Sequence, residues 1–102
     1  MTYSLFIDDE REPPADGRDW VVARTCNEAI REVLARGVPA YSSWDHDLGE
    51  GPTAMDFAHW FAEHVMNENL PLDGFAFYVH SQNPIGARNI ESFLRNLKRA
   101  VG

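Results

Sequence analysis

Side chains able to bind a cation, move a proton or hold a phosphoryl group fall in three short clusters: Asp8 and Asp9, then Asp45, His46 and Asp47, then His80 and Ser81. Each follows an apolar or β-prone run, at residues 3–7, 41–44 and 74–79. If those runs are neighbouring parallel strands, the clusters gather at one edge of the sheet, where open α/β folds bind ligands. Carboxylates brought that close cannot all stay ionised without compensation, and a divalent cation is the usual compensator. Oxygen-rich ligation by Asp8, Asp9, Asp45 and Asp47 points to magnesium or manganese, while His46 and His80 keep zinc or iron open. The plainer alternative has Asp45 and Asp47 alternating, one at the site and one exposed, with Asp9 or Glu10 pairing Arg11.

His80 and His46 are the natural general acid-base candidates, because an imidazole titrates near neutral pH. A histidine at a strand end is more often structural, and His46 could equally orient an aspartate. Ser81 is better suited to donate a hydrogen bond to a phosphoryl oxygen than to act as a nucleophile, since no base-and-orienter set accompanies it. Asn83, Pro84 and Gly86 open a helix whose free amides suit an anion, although plain capping explains them as well. Arg88, Asn89 and Arg11 are within reach of a phosphate there, or the arginines only balance the aspartates. His59 and His64 lie five apart, on different helical faces, and form no zinc motif. Trp20, Trp44 and Trp60 read as core, with Trp44 the most open to another role because it adjoins Asp45.

The elements that must position these groups alternate. Residues 3–7 read as strand one and end abruptly in charge. The following stretch holds Pro13, Pro14 and Gly17, so a loop replaces or shortens the first crossover helix. Residues 20–24 form strand two. Thr25 and Glu28 read as a capping box, followed by Ala29, Ile30, Val33 and Leu34 at helical spacing until Gly37 and Pro39. Strand three is 41–44. Thr53 and Asp56 start a second helix with the stripe Ala54, Phe57, Ala58, Phe61 and Val65. Strand four lies in 74–79, and the last helix carries Ala87, Ile90, Phe93, Leu94, Leu97 and Val101 on one side. The expected architecture is a single α/β domain over 1–102, with a mostly parallel four-stranded sheet and helices on its faces in a three-layer sandwich.

Composition narrows the partners. A chain of 102 residues that is 44% hydrophobic supports one core and no more. Nine Lys and Arg against sixteen Asp and Glu give a formal charge of -7, which repels duplex nucleic acid but leaves a small phosphate-bearing ligand open. No apolar run is long enough to span a bilayer, and no basic-then-apolar leader precedes Tyr3, so a soluble, cytoplasmic protein is expected. Cys26 is the only cysteine, which excludes an internal disulfide and a cysteine-based zinc cluster. Oligomeric state is open.

Paired acids after strand one, an aspartate after strand three and a serine after strand four resemble the response-regulator receiver fold, of the flavodoxin-like type. The receiver's lysine after a fifth strand has no counterpart, because the chain ends after the fourth strand and its helix. Residues 5–11, 44–49 and 79–90 are more closely similar to the cyclic-phosphate processing receiver family. That resemblance implies a truncated receiver-like fold and an action on cyclic phosphates of RNA ends or nucleotides. The implied mechanism is metal-assisted phosphoester cleavage. Asp8, Asp9 and one of Asp45 or Asp47 hold the cation, and His80 protonates the leaving oxygen with His46 assisting. Ser81, Asn83, Arg88 and the helix amides stabilise charge on phosphorus. A non-catalytic nucleotide sensor or sequestering domain, and a signalling receiver phosphorylated on aspartate, are the alternatives.

Overall fold

The computed structural model describes residues 2–49 and 51–101; Met1, with which the leader was judged, lies outside them. The order is β1 (Ser4–Ile7), β2 (Trp20–Ala23), α1 (Cys26–Arg36), β3 (Tyr41–Trp44), α2 (Ala54–Asn67), β4 (Ala76–Val79) and α3 (Pro84–Val101). The strands form one sheet in the order β2-β1-β3-β4, every neighbouring pair parallel. The register aligns Ile7 with Ala23 and Trp44, and Trp44 with Val79. Because side chains alternate along a strand, that row and the row of Val21, Leu5, Ser42 and Phe77 share one face.

That face carries the core. Leu5, Ile7, Ala23, Trp44 and Val79 are buried against Cys26, Ala29 and Val33 of α1, Phe57, Phe61 and Val65 of α2, and Ile90, Leu94 and Leu97 of α3. The helices lie side by side on it, α1 against α2 and α2 against α3. Trp44 is core, its Nε1 donating to the Ser42 hydroxyl at 2.8 Å, which keeps a buried polar pair satisfied. Leu34, read into the α1 stripe, is instead 61% exposed.

Among the described residues no helix covers the second face, so the layering is two-tiered where helices on both faces were expected. The cause is local: Pro13, Pro14 and Gly17 hold the β1–β2 crossover as a loop, so it supplies no covering helix. The second face presents Ser4, Phe6, Trp20, Val22, Tyr41, Ser43, Ala76 and Tyr78, partly shielded by that loop.

Capping sets where the helices begin. Thr53 and Asp56 form a full reciprocal box at α2. At α1 the box is shifted: Thr25 Oγ1 accepts from the Glu28 amide, but the Glu28 carboxylate reaches back to the amide of Arg24 rather than that of Thr25. No helix among the described residues is long and apolar enough to cross a membrane.

Candidate functional site

The parallel ladder runs one residue past each strand. The amides of Asp8, Asp45 and His80 donate to Ala23, Ile7 and Trp44 carbonyls at 3.1, 2.8 and 2.9 Å. Asp8, Asp45 and His80 are therefore level with one another, and alternation turns all three toward the helix-free face. Two residues earlier on the same face stand Phe6, Ser43 and Tyr78.

Asp8 is nearly inaccessible, at 1% exposure. Its Oδ1 accepts from the amides of Glu10 and Arg11, both at 2.9 Å, which folds the chain back over the carboxylate. Its Oδ2 lies 2.9 Å from His80 Nε2, and His80 Nδ1 lies 2.6 Å from Ser43 Oγ. The His80 ring stacks flat on Phe6, with centroids 4.9 Å apart. One ligand atom from each of Asp8, Asp45 and His80 falls within 4.8 Å of the others, so the three could hold a metal ion.

The electrostatics of the two carboxylates diverge. Burial alone would push Asp8 up, but the Arg11 and Glu10 amides and the His80 ring outweigh it and hold Asp8 below the ordinary carboxylate range. Burial, followed by the Asp8 charge, raises Asp45; the Asp47 amide and His80 oppose this, and Asp9 adds to it. A half-buried acid beside one whose ionised form is favoured is an arrangement that a divalent cation relieves. Two carboxylates and one imidazole form a chemically suitable donor set for such an ion.

A shallow cleft of about 270 Å³ opens over the strand ends, lined by Asp9, Glu10, Arg11, Asp45, Asp47, Gly49 and Gln82. Gly49 has φ +72°, a left-handed conformation that favours glycine, and an added Cβ there would stand 3.3 Å from Asp9 Oδ2. Asp9 and Asp47 thus border the cleft without joining the Asp8–Asp45–His80 group. Asp47 is exposed and lies 3.0 Å from His46 Nδ1. Of the two aspartates after β3, Asp45 is the one level with Asp8 and His80.

The α3 start is tightly built. Asn83 Oδ1 accepts from the Gly86 amide at 3.0 Å, and Ser81 Oγ accepts from the Asn83 amide at 3.1 Å, so both side chains shape the turn. The Ser81 hydroxyl proton stays available to a ligand. Gly86 faces the His46 ring so closely that an added Cβ would stand 2.7 Å from Nδ1 and nearer still to Cγ and Cδ2. Arg88 and Asn89 are exposed on α3, outside the cleft lining.

Comparison with protein families matches residues 3–96 to the cyclic-phosphate processing receiver domain. The chain belongs to that family. Comparisons with curated proteins and with solved structures gave no match. The matched span of this receiver domain includes all three members of the carboxylate–imidazole group, the strand-end cleft beside it and the start of α3.

Two supporting residues of the receiver domain escape a reading by motif. Arg24 donates from Nη1 to the carbonyls of Asp8, at 3.1 Å, and Arg11, and pairs through Nη2 with Glu12, clamping the loop that caps Asp8. Its position as the first residue beyond β2 was the available signal. Ser43 holds the far side of His80, and its placement two residues before Asp45 puts it on the same face.

Proposed function

We propose that this receiver domain is a metal-assisted phosphoesterase that opens cyclic phosphates on RNA ends or nucleotides. The observation that carries the proposal is the level row of Asp8, Asp45 and His80, two carboxylates and an imidazole whose ligand atoms converge, with Asp45 on the wall of the strand-end cleft. When bound, a divalent cation, magnesium or manganese in our reading, supplies Lewis acidity to the phosphoryl oxygens and offsets the carboxylate charges.

The chain's own residues do the rest. Asp8, fixed by two amides and oriented against His80, remains ionised and anchors the row. Asp45 borders the cleft, and a cation held there would offset the burial and the Asp8 charge that disfavour its ionised form. His80, held at both ring nitrogens, is positioned to complete the cation site. Asp47 engages His46 Nδ1, so in this reading Nε2 is the atom that would protonate the departing ribose oxygen. Arg11 on the cleft wall and the Ser81 hydroxyl address charge on the phosphoryl oxygens. In the overall reaction water adds to phosphorus, one ring P–O bond breaks, and the released oxygen leaves as a hydroxyl. A cytoplasmic setting fits a chain whose single cysteine, Cys26, is buried and unpaired.

The test is incubation of the protein with Mg²⁺ or Mn²⁺ and 2′,3′-cyclic nucleotides or cyclic dinucleotides, followed by separation of products. A linear phosphomonoester or diester is expected. Absence of product from every substrate, with the protein folded, sinks the enzyme reading.

A further inference from the structure

The helix-free face holds a second cavity, of about 370 Å³, lined by Phe6, Trp20, Tyr41, Ser43, Tyr78 and His80 with Glu12, Pro14 and Asp16 on its rim. Its size is within the range of small-ligand sites, which begins at about 300 Å³. Aromatic walls are unusual here for a physical reason: the opposite face buries its apolar residues under three helices, while this face has only a loop above it. Tyr78 is 58% exposed, and Trp20 and Tyr41 are only half-buried. The rim carboxylates are already committed. Glu12 pairs with Arg24, while Asp16 accepts from Trp20 Nε1 at 2.9 Å and pairs with Arg18. Among the described residues the lining holds no Lys or Arg, and the Arg18 guanidinium, 4.3 Å from the Tyr41 ring centroid, is paired with Asp16, so the cavity suits a flat, uncharged ring.

The two cavities flank the carboxylate–imidazole row. Asp45 lines the strand-end cleft, His80 lines the aromatic cavity, and their ligand atoms lie within 4.8 Å of each other. Tyr78 precedes His80 by two residues on the same face, a step of about 7 Å along the strand. In a nucleoside cyclic phosphate the sugar holds the phosphate and the base apart by a comparable distance.

We infer that the aromatic cavity is a nucleobase subsite, so that the substrate is a cyclic phosphate carried on a nucleoside, its base resting against Tyr78 in the cavity that Trp20 closes on the opposite edge strand. This rests on the phosphoesterase reading only for the placement of the phosphate. The stack tolerates any base, because every base offers a π-face.

The experiment uses Trp20 fluorescence. Trp44 lies in the core beneath the helices and Trp60 on α2, so a ligand in the cavity quenches Trp20 alone, and Trp20→Phe removes the signal. With Mn²⁺ present, 2′,3′-cyclic AMP and 2′,3′-cyclic CMP are titrated directly, and glycerol 1,2-cyclic phosphate, which has no base, is titrated in competition. Both nucleotides should quench and should bind more tightly than the glycerol compound. Tyr78→Ala should weaken nucleotide binding by roughly 5- to 150-fold, the range of one base–aromatic stack, and Tyr78→Phe should retain it. Circular dichroism checks that each variant is folded. Absence of quenching, equal affinity for nucleotides and the glycerol compound, or nucleotide binding unaffected by Tyr78→Ala overturns the subsite. Quenching without turnover supports the subsite and sinks the phosphoesterase reading; turnover of all three cyclic phosphates at equal efficiency does the reverse.

Discussion

Gly86 and His46 provide a sharp test of how the α3 start is coupled to the strand-end cleft. Gly86 lies in the first turn of α3 and carries no positive φ, so alanine is compatible with its backbone. Helix propensity alone favours Gly86→Ala by up to about 1 kcal/mol. The added Cβ, however, would stand 2.7 Å from His46 Nδ1 and closer to two ring carbons, far inside van der Waals contact. Overpacking of that kind typically costs about 1–3 kcal/mol, less if the ring swings into solvent. Removing the ring with His46→Ala should free the site and expose the propensity gain. We therefore expect Gly86→Ala to destabilise the wild-type chain by about 1 kcal/mol and to stabilise the His46→Ala chain by about 0.5–1 kcal/mol, a coupling of about 1.5–2 kcal/mol. Urea unfolding of the four proteins measures it. Stabilisation of the same size in both backgrounds would refute close packing of His46 on the helix start. On cyclic-nucleotide turnover, Gly86→Ala should approach the loss caused by His46→Ala, because both displace the same ring.

The other predictions concern the row itself. Asp8→Ala should cost about 2–4 kcal/mol, because two buried amide bonds to a charged acceptor vanish together. Asp8→Asn should cost less, since an amide oxygen can still accept from Glu10 and Arg11; equal losses by thermal melting would place the stability elsewhere. For pH, Asp8 has a folded value below its unfolded one, so its contribution is present above the unfolded value and disappears as acid protonates the folded carboxyl. Asp45 has the opposite sign: its ionised form is disfavoured, so as pH falls its protonation should relieve the metal-free protein before Asp8 protonates. Urea midpoints from pH 7 downward should show that early relief, and Asp45→Asn should abolish it. Mn²⁺ or Mg²⁺ at a hundredfold excess over Kd should add about 2.7 kcal/mol, an effect that fades as acid competes for Asp45. Isothermal titration should find it greatly reduced in Asp45→Asn, and unchanged affinity there would remove Asp45 from the cation site.

Much of the site was legible because strand alternation and parallel pairing act on residue type alone. Apolar runs ending in Asp8, Asp45 and His80 imply convergence at one sheet edge, and the structure brings those three level. Choosing between Asp45 and Asp47 required the register, which a sequence of isolated runs does not contain: Asp45 aligns with Asp8, and Asp47 points to solvent beside His46. The contact between Gly86 and His46 was hidden for a similar reason, since it depends on how α3 approaches the β3 exit forty residues earlier. Arg24 was hidden by its ordinary appearance at a strand end, because its role is to bond carbonyls of another segment. Pro13, Pro14 and Gly17 did announce the missing helix. What they could not announce was which face it would leave bare.

That bare face joins the fold to the chemistry. A helix over Phe6, Ser43 and Tyr78 would bury His80 from above and close the route from the row to the aromatic cavity. Replacing it with a loop leaves His80 held from the side by Ser43 and from below by Phe6, with one flank open. The apolar burial lost there is offset on the other face, where all three helices share one core. Stability and access are thereby assigned to opposite faces of the sheet. Substitutions such as Phe61→Ala should act on folding, at about 3–5 kcal/mol, whereas changes at Tyr78 should act on ligand binding with little effect on the melting temperature.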